Sequence, residues 1–281
     1  MVRRPLGNHH HGPDTLLVTP DTTRTERVTP PHQDNGTEAQ DSGTEAQGNG
    51  TEALRDLLTR ARVVLWDFDG PICRLFARHS AESVATGLVE WLAEQGLHGL
   101  LSDTERESPD PHAVLRAVDR RHPGSDLVEA LEKRLTQEEL RAAATALPTA
   151  WADPLVRTLK AVGRRLAITT NNSPEVVRQY LAGRDLLGCF APHLYGRTHE
   201  LGLLKPHPDC LHRALRALGA APPAALMIGD TPSDLWAARA AGVPFLGYAR
   251  NDRKARLLRD AGAEVVVRSL EPVLTLVRAQ A

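Results

Sequence analysis

Val63-Val-Leu-Trp-Asp67-Phe68-Asp69-Gly70 is an apolar run that stops abruptly at an acid, places a second acid two residues on and turns at a glycine. A short apolar run bounded by a turn reads as a strand buried on both faces, as in a parallel sheet. Similar runs recur downstream at Arg165-Leu-Ala-Ile-Thr-Thr170, Ala224-Ala-Leu-Met-Ile-Gly229, Val243-Pro-Phe-Leu-Gly247 and Glu264-Val-Val-Val267, with a shorter one near 190–194. Helical stretches separate them. Asp153-Pro154 supplies a cap and a first-turn proline, with Gly163 as the stop; Ser173-Pro174 opens another helix that closes near Gly183; a third spans 208–218. Strands that alternate with helices imply a parallel sheet with helices on both faces. From residue 77 to 147 the pattern is helical throughout. Val84, Leu88, Trp91 and Leu92 share one face, and Thr136-Gln-Glu-Glu139 reads as a capping box that opens a further helix. The expected class is α/β, with a small all-helical domain at 77–147 inserted after the first strand of a core at 53–76 and 148–281.

Outward from that core, composition excludes several classes. Hydrophobic residues are 41% and charged residues 25% of 281, an ordinary globular balance. With 34 basic against 35 acidic residues the formal net charge is -1, and no basic stripe marks a nucleic-acid binder. No apolar run is long enough to cross a membrane, and none follows the first basic residues as a signal peptide requires. Cys73, Cys189 and Cys210 are too few and too scattered for a disulfide framework, so a cytoplasmic location is expected. Residues 1–52 differ from the rest, with eight acidic and four basic residues. They hold three near-copies of one unit, Asn35–Asp41, Ser42–Gly48 and Asn49–Arg55, each built on Gly-Thr-Glu-Ala. One alanine per repeat buries too little surface to offset ordering entropy, so 1–52 is expected to be a disordered tail. A short amphipathic helix, Glu52–Arg60, leads into the first strand.

In an open parallel sheet the ligand crevice lies beyond the carboxyl ends of the strands. Those ends carry Asp67 and Asp69 on the first strand, Thr170-Asn171 on the second and Gly229-Asp230-Thr-Pro-Ser-Asp234 on a later one; Lys205-Pro206 stands in a loop before a helix. Carboxylates gathered at one edge repel each other unless a cation neutralises them, which implies a hard, oxygen-liganded ion such as Mg²⁺. Lys205, the Thr170 hydroxyl and free backbone amides supply an anion site beside it. Metal, anion site and carboxylate nucleophile together describe phosphoryl transfer.

These four groups, in this order, resemble the motifs of the haloacid dehalogenase-like hydrolase superfamily. The resemblance covers about 61–281: the strand ending in Asp67-Phe68-Asp69, the strand ending in Thr170-Asn171, Lys205 in Leu204-Lys-Pro-His-Pro208, and Gly229-Asp230 through Asp234, continued by Ala238-Arg-Ala-Ala-Gly242. It implies a Rossmann-like core whose helical insertion is a cap, closest to the phosphoglycolate phosphatase-like branch. It also implies roles. Asp67 is the nucleophile and a metal ligand, and Asp69 is the acid and base, its carbonyl on the metal. Phe68, Asp69, Thr170, Asn171 and Lys205 contact substrate, and Asp67, Asp69, Asp230 and Asp234 hold Mg²⁺. Thr170 and Lys205 join Asp67 and Asp69 as catalytic residues. True dehalogenases lack the second acid of the first motif, so Asp69 favours phosphate chemistry.

The expected function is a Mg²⁺-dependent phosphatase that hydrolyses a small-metabolite phosphomonoester through an aspartyl-phosphate. The expected partner is a small phosphorylated molecule, with neither nucleic acid nor membrane, and the chain is expected to be a monomer or homodimer. Two alternatives stay open: a phosphotransferase or phosphomutase of the same superfamily, and a non-catalytic phosphate-binding regulatory protein. Cys73 and Trp66 read as core, and His207 and His212 as part of a helix start.

Overall fold

The computed structural model describes residues 41–280, with side-chain detail from residue 50. His9–His11 and nearly all of the first repeat lie outside the described residues. In chain order the elements are α1 (Asp41–Arg60), β1 (Val63–Trp66), β2 (Cys73–Arg74), α2 (Ala81–Glu94), α3 (Asp103–Arg106), α4 (Pro111–Arg121), α5 (Asp126–Thr145) and β3 (Leu147–Pro148). There follow α6 (Ala152–Ala161), β4 (Arg165–Thr169), α7 (Pro174–Ala182), α8 (Leu187–Phe190), β5 (Leu194–Tyr195), α9 (Asp209–Leu218) and β6 (Ala225–Gly229). The chain closes with α10 (Pro232–Ala240), β7 (Phe245–Tyr248), α11 (Asp252–Asp260), β8 (Val266–Val267) and α12 (Glu271–Ala279).

Six strands form one parallel sheet in the order β5-β4-β1-β6-β7-β8. The chain winds outward from β1 in one direction through β4 and β5, then returns to add β6, β7 and β8 on the other side. The reversal falls between β1 and β6, the switch point where such sheets open a crevice. Alternation along each strand feeds two cores. Val64, Trp66, Leu166, Ile168, Leu226 and Ile228 face a layer that includes α1, α6, α7 and α12. Val63, Leu65, Ala167, Ala225 and Met227 face α9 and α10. Both faces are covered, which is why these strands read as unbroken apolar runs.

The helical stretch between the first two sheet strands forms a cluster of its own from Val84, Leu88, Leu92, Val114, Leu115, Val118, Val128, Leu131 and Leu135, joined by Leu201 and Leu204 of the core. Its entry and exit are held side by side by the antiparallel pair β2–β3, and the Thr149 hydroxyl donates to the Gly70 carbonyl at 2.5 Å. α5 belongs to both units, because Ala142 and Ala143 pack in the main core.

Several boundaries differ from expectation. The helix expected at Glu52 begins at Asp41, so residues 41–52 are helical here rather than a disordered tail. Leu54 and Leu58 dock in the core, and a helix already nucleated extends for one backbone bond per residue through Glu, Ala and Gln, which favour helix. Thr136 opens no helix. It lies inside α5, whose cap is Ser125, and Thr136 and Glu139 face partners described below. The cap of α6 is Trp151, in the left-handed region at φ 66°, while Asp153 receives Arg184. The short strand expected at 190–194 sits at its far end, after the helical turn α8.

If α1 is docked as these contacts indicate, Leu58→Ala should cost about 2–5 kcal/mol in denaturant unfolding. A cost under about 0.5 kcal/mol would show that the helix contributes nothing to the core.

Candidate active site

Three carboxylates meet beyond the ends of β1 and β6. One oxygen each of Asp67, Asp230 and Asp234 lies within 4.8 Å of the others, and all three residues are buried. The local fold forces this closeness. Gly70 adopts φ +120°, and a Cβ there would run into the Asp230 carboxyl, while a Cβ on Gly229 would run into Asp234. Glycine at 70 lets the ends of β1 and β6 approach, and glycine at 229 lets Asp234 fold back on its own strand end. Asp234 also serves its own helix. Its Oδ2 accepts Thr231 N–H at 3.0 Å, the Thr231 hydroxyl at 2.7 Å and Asp230 N–H at 3.2 Å, which completes a capping box on α10.

Lys205 enters this ring from the loop before α9. Its ammonium donates to Asp67 Oδ1 at 2.9 Å, to Asp234 Oδ1 at 2.5 Å and to the Thr169 carbonyl at 3.0 Å. Asn171 fixes that loop at two points: its Oδ1 accepts Lys205 N–H at 2.8 Å and its Nδ2 donates to the Lys205 carbonyl at 3.2 Å. The Asn171 side chain therefore positions Lys205, although the residue also lines the cavity. The Thr170 hydroxyl lies at the same edge and donates to Asn172 Oδ1 at 3.0 Å. Asp69 accepts Leu75 N–H at 2.8 Å, and its carboxyl stands outside the three-carboxylate group. The Phe68 side chain is fully buried against Tyr180, ring centroids 5.4 Å apart, so only its main chain is available to a ligand.

The electrostatics follow from burial. Burial, with Asp234 beside it, pushes the Asp67 pKa up to about 6 against the pull of Lys205. Burial pushes Asp230 up to about 8; Lys254, paired with it, opposes this, and Asp67 and Asp234 add to it. Burial also raises Asp69. For Lys205 burial favours the neutral amine, but Asp234 and Asp67 outweigh it and raise its pKa above the ordinary lysine value. Asp230 Oδ1 is buried with no hydrogen-bond partner. Acidic oxygens this close, one of them orphaned, fit a hard cation held by Asp67 and Asp230 with Asp234 adjacent.

A cavity of about 280 Å³ opens over these groups. Its floor is Asp67, Asp69, Thr170, Asn171, Lys205 and Asp234, and its roof is Phe76 together with Ala81, Pro109, Asp110, Pro111 and His112 of the helical stretch.

One network at this site had no local signature in the sequence. Arg197, in the loop after β5, has a fully buried side chain. It donates to Glu139 Oε1 at 2.9 Å and Oε2 at 3.1 Å, to Glu132 at 3.0 Å, to Thr136 at 2.9 Å and to the Asn171 carbonyl at 3.0 Å. Glu139 in turn accepts Asn172 Nδ2 at 2.9 Å and Ser173 N–H at 3.0 Å. α5 is thereby tied to the Thr170–Ser173 turn. Burial would raise the Glu139 pKa, but Arg197 and His112 hold it well below the usual carboxylate range.

A carboxylate-ringed edge on a Rossmann-ordered sheet defines an α/β enzyme that handles anions. The comparisons place it more closely. Residues 61–242 match the haloacid dehalogenase-like hydrolase family model, and the chain belongs to that family. It is 29% identical over 189 residues to a phosphoglycolate phosphatase of Aquifex aeolicus, covering 64% of this chain and 81% of that protein. It is 42% identical over 82 residues to a phosphoserine phosphatase of Thermus thermophilus, a match that spans 29% of this chain and 32% of the relative. The fold is shared with a haloacid dehalogenase-like hydrolase of Streptococcus pneumoniae at TM-score 0.55 and 17% identity, covering 79% of this chain and all of that one. Among the described residues no helix is long and apolar enough to cross a membrane.

Two predictions follow from the buried charges. Asp67 and Asp230 have pKa values raised from 3.8, so the folded metal-free protein keeps protons that the unfolded chain has released. Its stability should then fall as pH rises from about 4 through 6 and on to 8. Thermal melts in EDTA should give a lower midpoint at pH 8.5 than at pH 5.5, and Mg²⁺ should restore more at the higher pH; a midpoint that rises across this window would contradict the assignment. Separately, Arg197→Met removes the guanidinium from the buried Glu139, leaving it His112, Asn172 and Ser173, and should cost about 3–5 kcal/mol. Glu139→Gln leaves Arg197 its Glu132 partner and should cost less, and the reverse order in denaturant unfolding would refute the network as described.

Proposed function

We propose that this chain is a Mg²⁺-dependent phosphatase that hydrolyses a small phosphomonoester through an aspartyl-phosphate on Asp67, with the helical stretch 77–147 acting as its cap. The observation that carries the reading is the convergence of Asp67, Asp230 and Asp234, the first and last bonded to Lys205, under a cavity lined by Asp69, Thr170 and Asn171. The phosphatase names of the Aquifex and Thermus relatives support it. A bound Mg²⁺ would supply charge neutralisation at the phosphoryl oxygens, with Asp67, Asp230, the Asp69 carbonyl and Asp234 as its candidate holders.

The chain's own residues account for the rest. Lys205 keeps Asp67 oriented and offsets its charge, so the carboxylate oxygen can attack phosphorus. The bond from phosphorus to the ester oxygen breaks, and Asp69 delivers a proton to the departing alcohol. Asp69, now a carboxylate, takes a proton from water; that water attacks phosphorus and breaks the bond to Asp67, which releases inorganic phosphate. One well-placed Asp69 thus serves as acid and then as base. The Thr170 hydroxyl and the main chain at Phe68 and Asn171 are placed to hold the phosphoryl oxygens.

Asp67→Asn should reduce turnover to background and leave no acid-stable phosphate on the protein after rapid quench. Asp69→Asn keeps the nucleophile and should lose about 10²–10⁴-fold in turnover, less on an aryl phosphate whose phenolate leaves unprotonated. Phosphate retained by Asp67→Asn, or full turnover by Asp69→Asn, would defeat the reading.

A further inference from the structure

The cavity's two walls differ in chemistry, and the roof bears on the leaving group. Among the described residues Lys205 is the lone lysine or arginine that lines the cavity, and its ammonium is committed to Asp67, Asp234 and Thr169. The roof presents Asp110, whose side chain is 47% exposed, beside His112. Both His112 ring nitrogens face protein groups: Nδ1 is 3.3 Å from Asp110 Oδ1, and Nε2 is 3.3 Å from Glu139 Oε1 and 3.2 Å from Arg197 Nη1. Arg116 does not line the cavity; its guanidinium reaches the Lys205 carbonyl at 3.3 Å and Asp110 Oδ2 at 3.5 Å. Lys254 is likewise outside the cavity and is paired with Asp230.

A substrate whose phosphate sits on the floor therefore directs its alcohol at Asp110, and among the described residues that line the cavity no lysine or arginine is free to receive a second anionic group, while both His112 ring nitrogens already face protein groups. Like charges facing each other here cost binding, whereas a donor gains a charge-assisted hydrogen bond. Building on the phosphatase reading, we propose that Asp110 selects a leaving alcohol that carries a hydrogen-bond donor, a hydroxyl or an ammonium, and disfavours one that carries a carboxylate. The substrate class is a phosphorylated polyol or amino alcohol. The chemistry of this roof thus departs from what the glycolate-directed name of the Aquifex relative suggests.

The test compares the full-length protein with Mg²⁺ on glycerol 3-phosphate, phosphoethanolamine, 2-phosphoglycolate and p-nitrophenyl phosphate. At least one donor-bearing ester should exceed 2-phosphoglycolate in kcat/KM by about tenfold or more. Asp110→Asn keeps an N-cap for α4, since Asn caps as well as Asp, and should shrink the phosphoethanolamine-to-phosphoglycolate ratio by about tenfold. A preference for 2-phosphoglycolate, a ratio unmoved by Asp110→Asn, or hydrolysis of p-nitrophenyl phosphate with neither donor-bearing ester accepted overturns the proposal while the phosphatase reading stands. No phosphate release from any of the four overturns both.

Discussion

Placing three carboxylates within 4.8 Å of one another, buried at the edge of a sheet, is the constraint around which this protein is arranged. Burial first, and the neighbouring carboxylates after it, lift the pKa values of Asp67 and Asp230. Lys205 offers partial relief from below and Lys254 from one side. Each of these devices then needs its own support. Lys205 is held by the Asn171 amide, Asn171 by Arg197 on its carbonyl, and Arg197 by Glu139, Glu132 and Thr136 of α5. The chain of supports runs from Asp67 to the helical stretch in four steps, each a direct hydrogen bond.

The sheet edge was legible because it depends on local patterns. Val63 to Trp66 is apolar since both of its faces are covered, and Asp67 ends it since the next residue leaves the sheet. Asp230 and Asp234 announce themselves in the same way, through a strand end and a helix cap that lie together in sequence. That three of them converge also follows from strand order, because β1 and β6 are neighbours.

What escaped the sequence depends on distance along the chain. Glu139 and Arg197 are 58 residues apart, and neither sits in a motif. Thr136 to Glu139 even matches a helix-start pattern, but the helix had already begun at Ser125, and both side chains turn inward to Arg197. A capping box is a statement about chain ends, and inside a helix the same letters are free for tertiary contacts. The repeats at 41–52 misled for the opposite reason. Their composition argues for disorder, yet they form the first turns of a helix that docks downstream, at Leu54 and Leu58. Phe68, flanked by two site acids, is core.

The position of α5 limits how the roof can move over the floor. Its first half packs with α2 and α4, while Ala142 and Ala143 belong to the main core, and Glu139 stands between, bonded to Asn172, Ser173 and Arg197. Separating α5 from the sheet would expose a buried ion pair and leave its members unpaired, a cost of several kcal/mol. Rearranging α2, α3 and α4 about a stationary α5 would break fewer polar ties, His112 to Glu139 and Arg197 and Arg116 to the Lys205 carbonyl, besides the apolar packing on Leu201 and Leu204. Asp110 and His112, the polar side chains of the roof, lie on this more loosely tied part, whereas Thr170, Asn171 and Lys205 lie on the part that Glu139 and Arg197 hold still. A substitution at Asp110 therefore leaves every hydrogen bond among Lys205, Asp67, Asp234 and Asn171 in place.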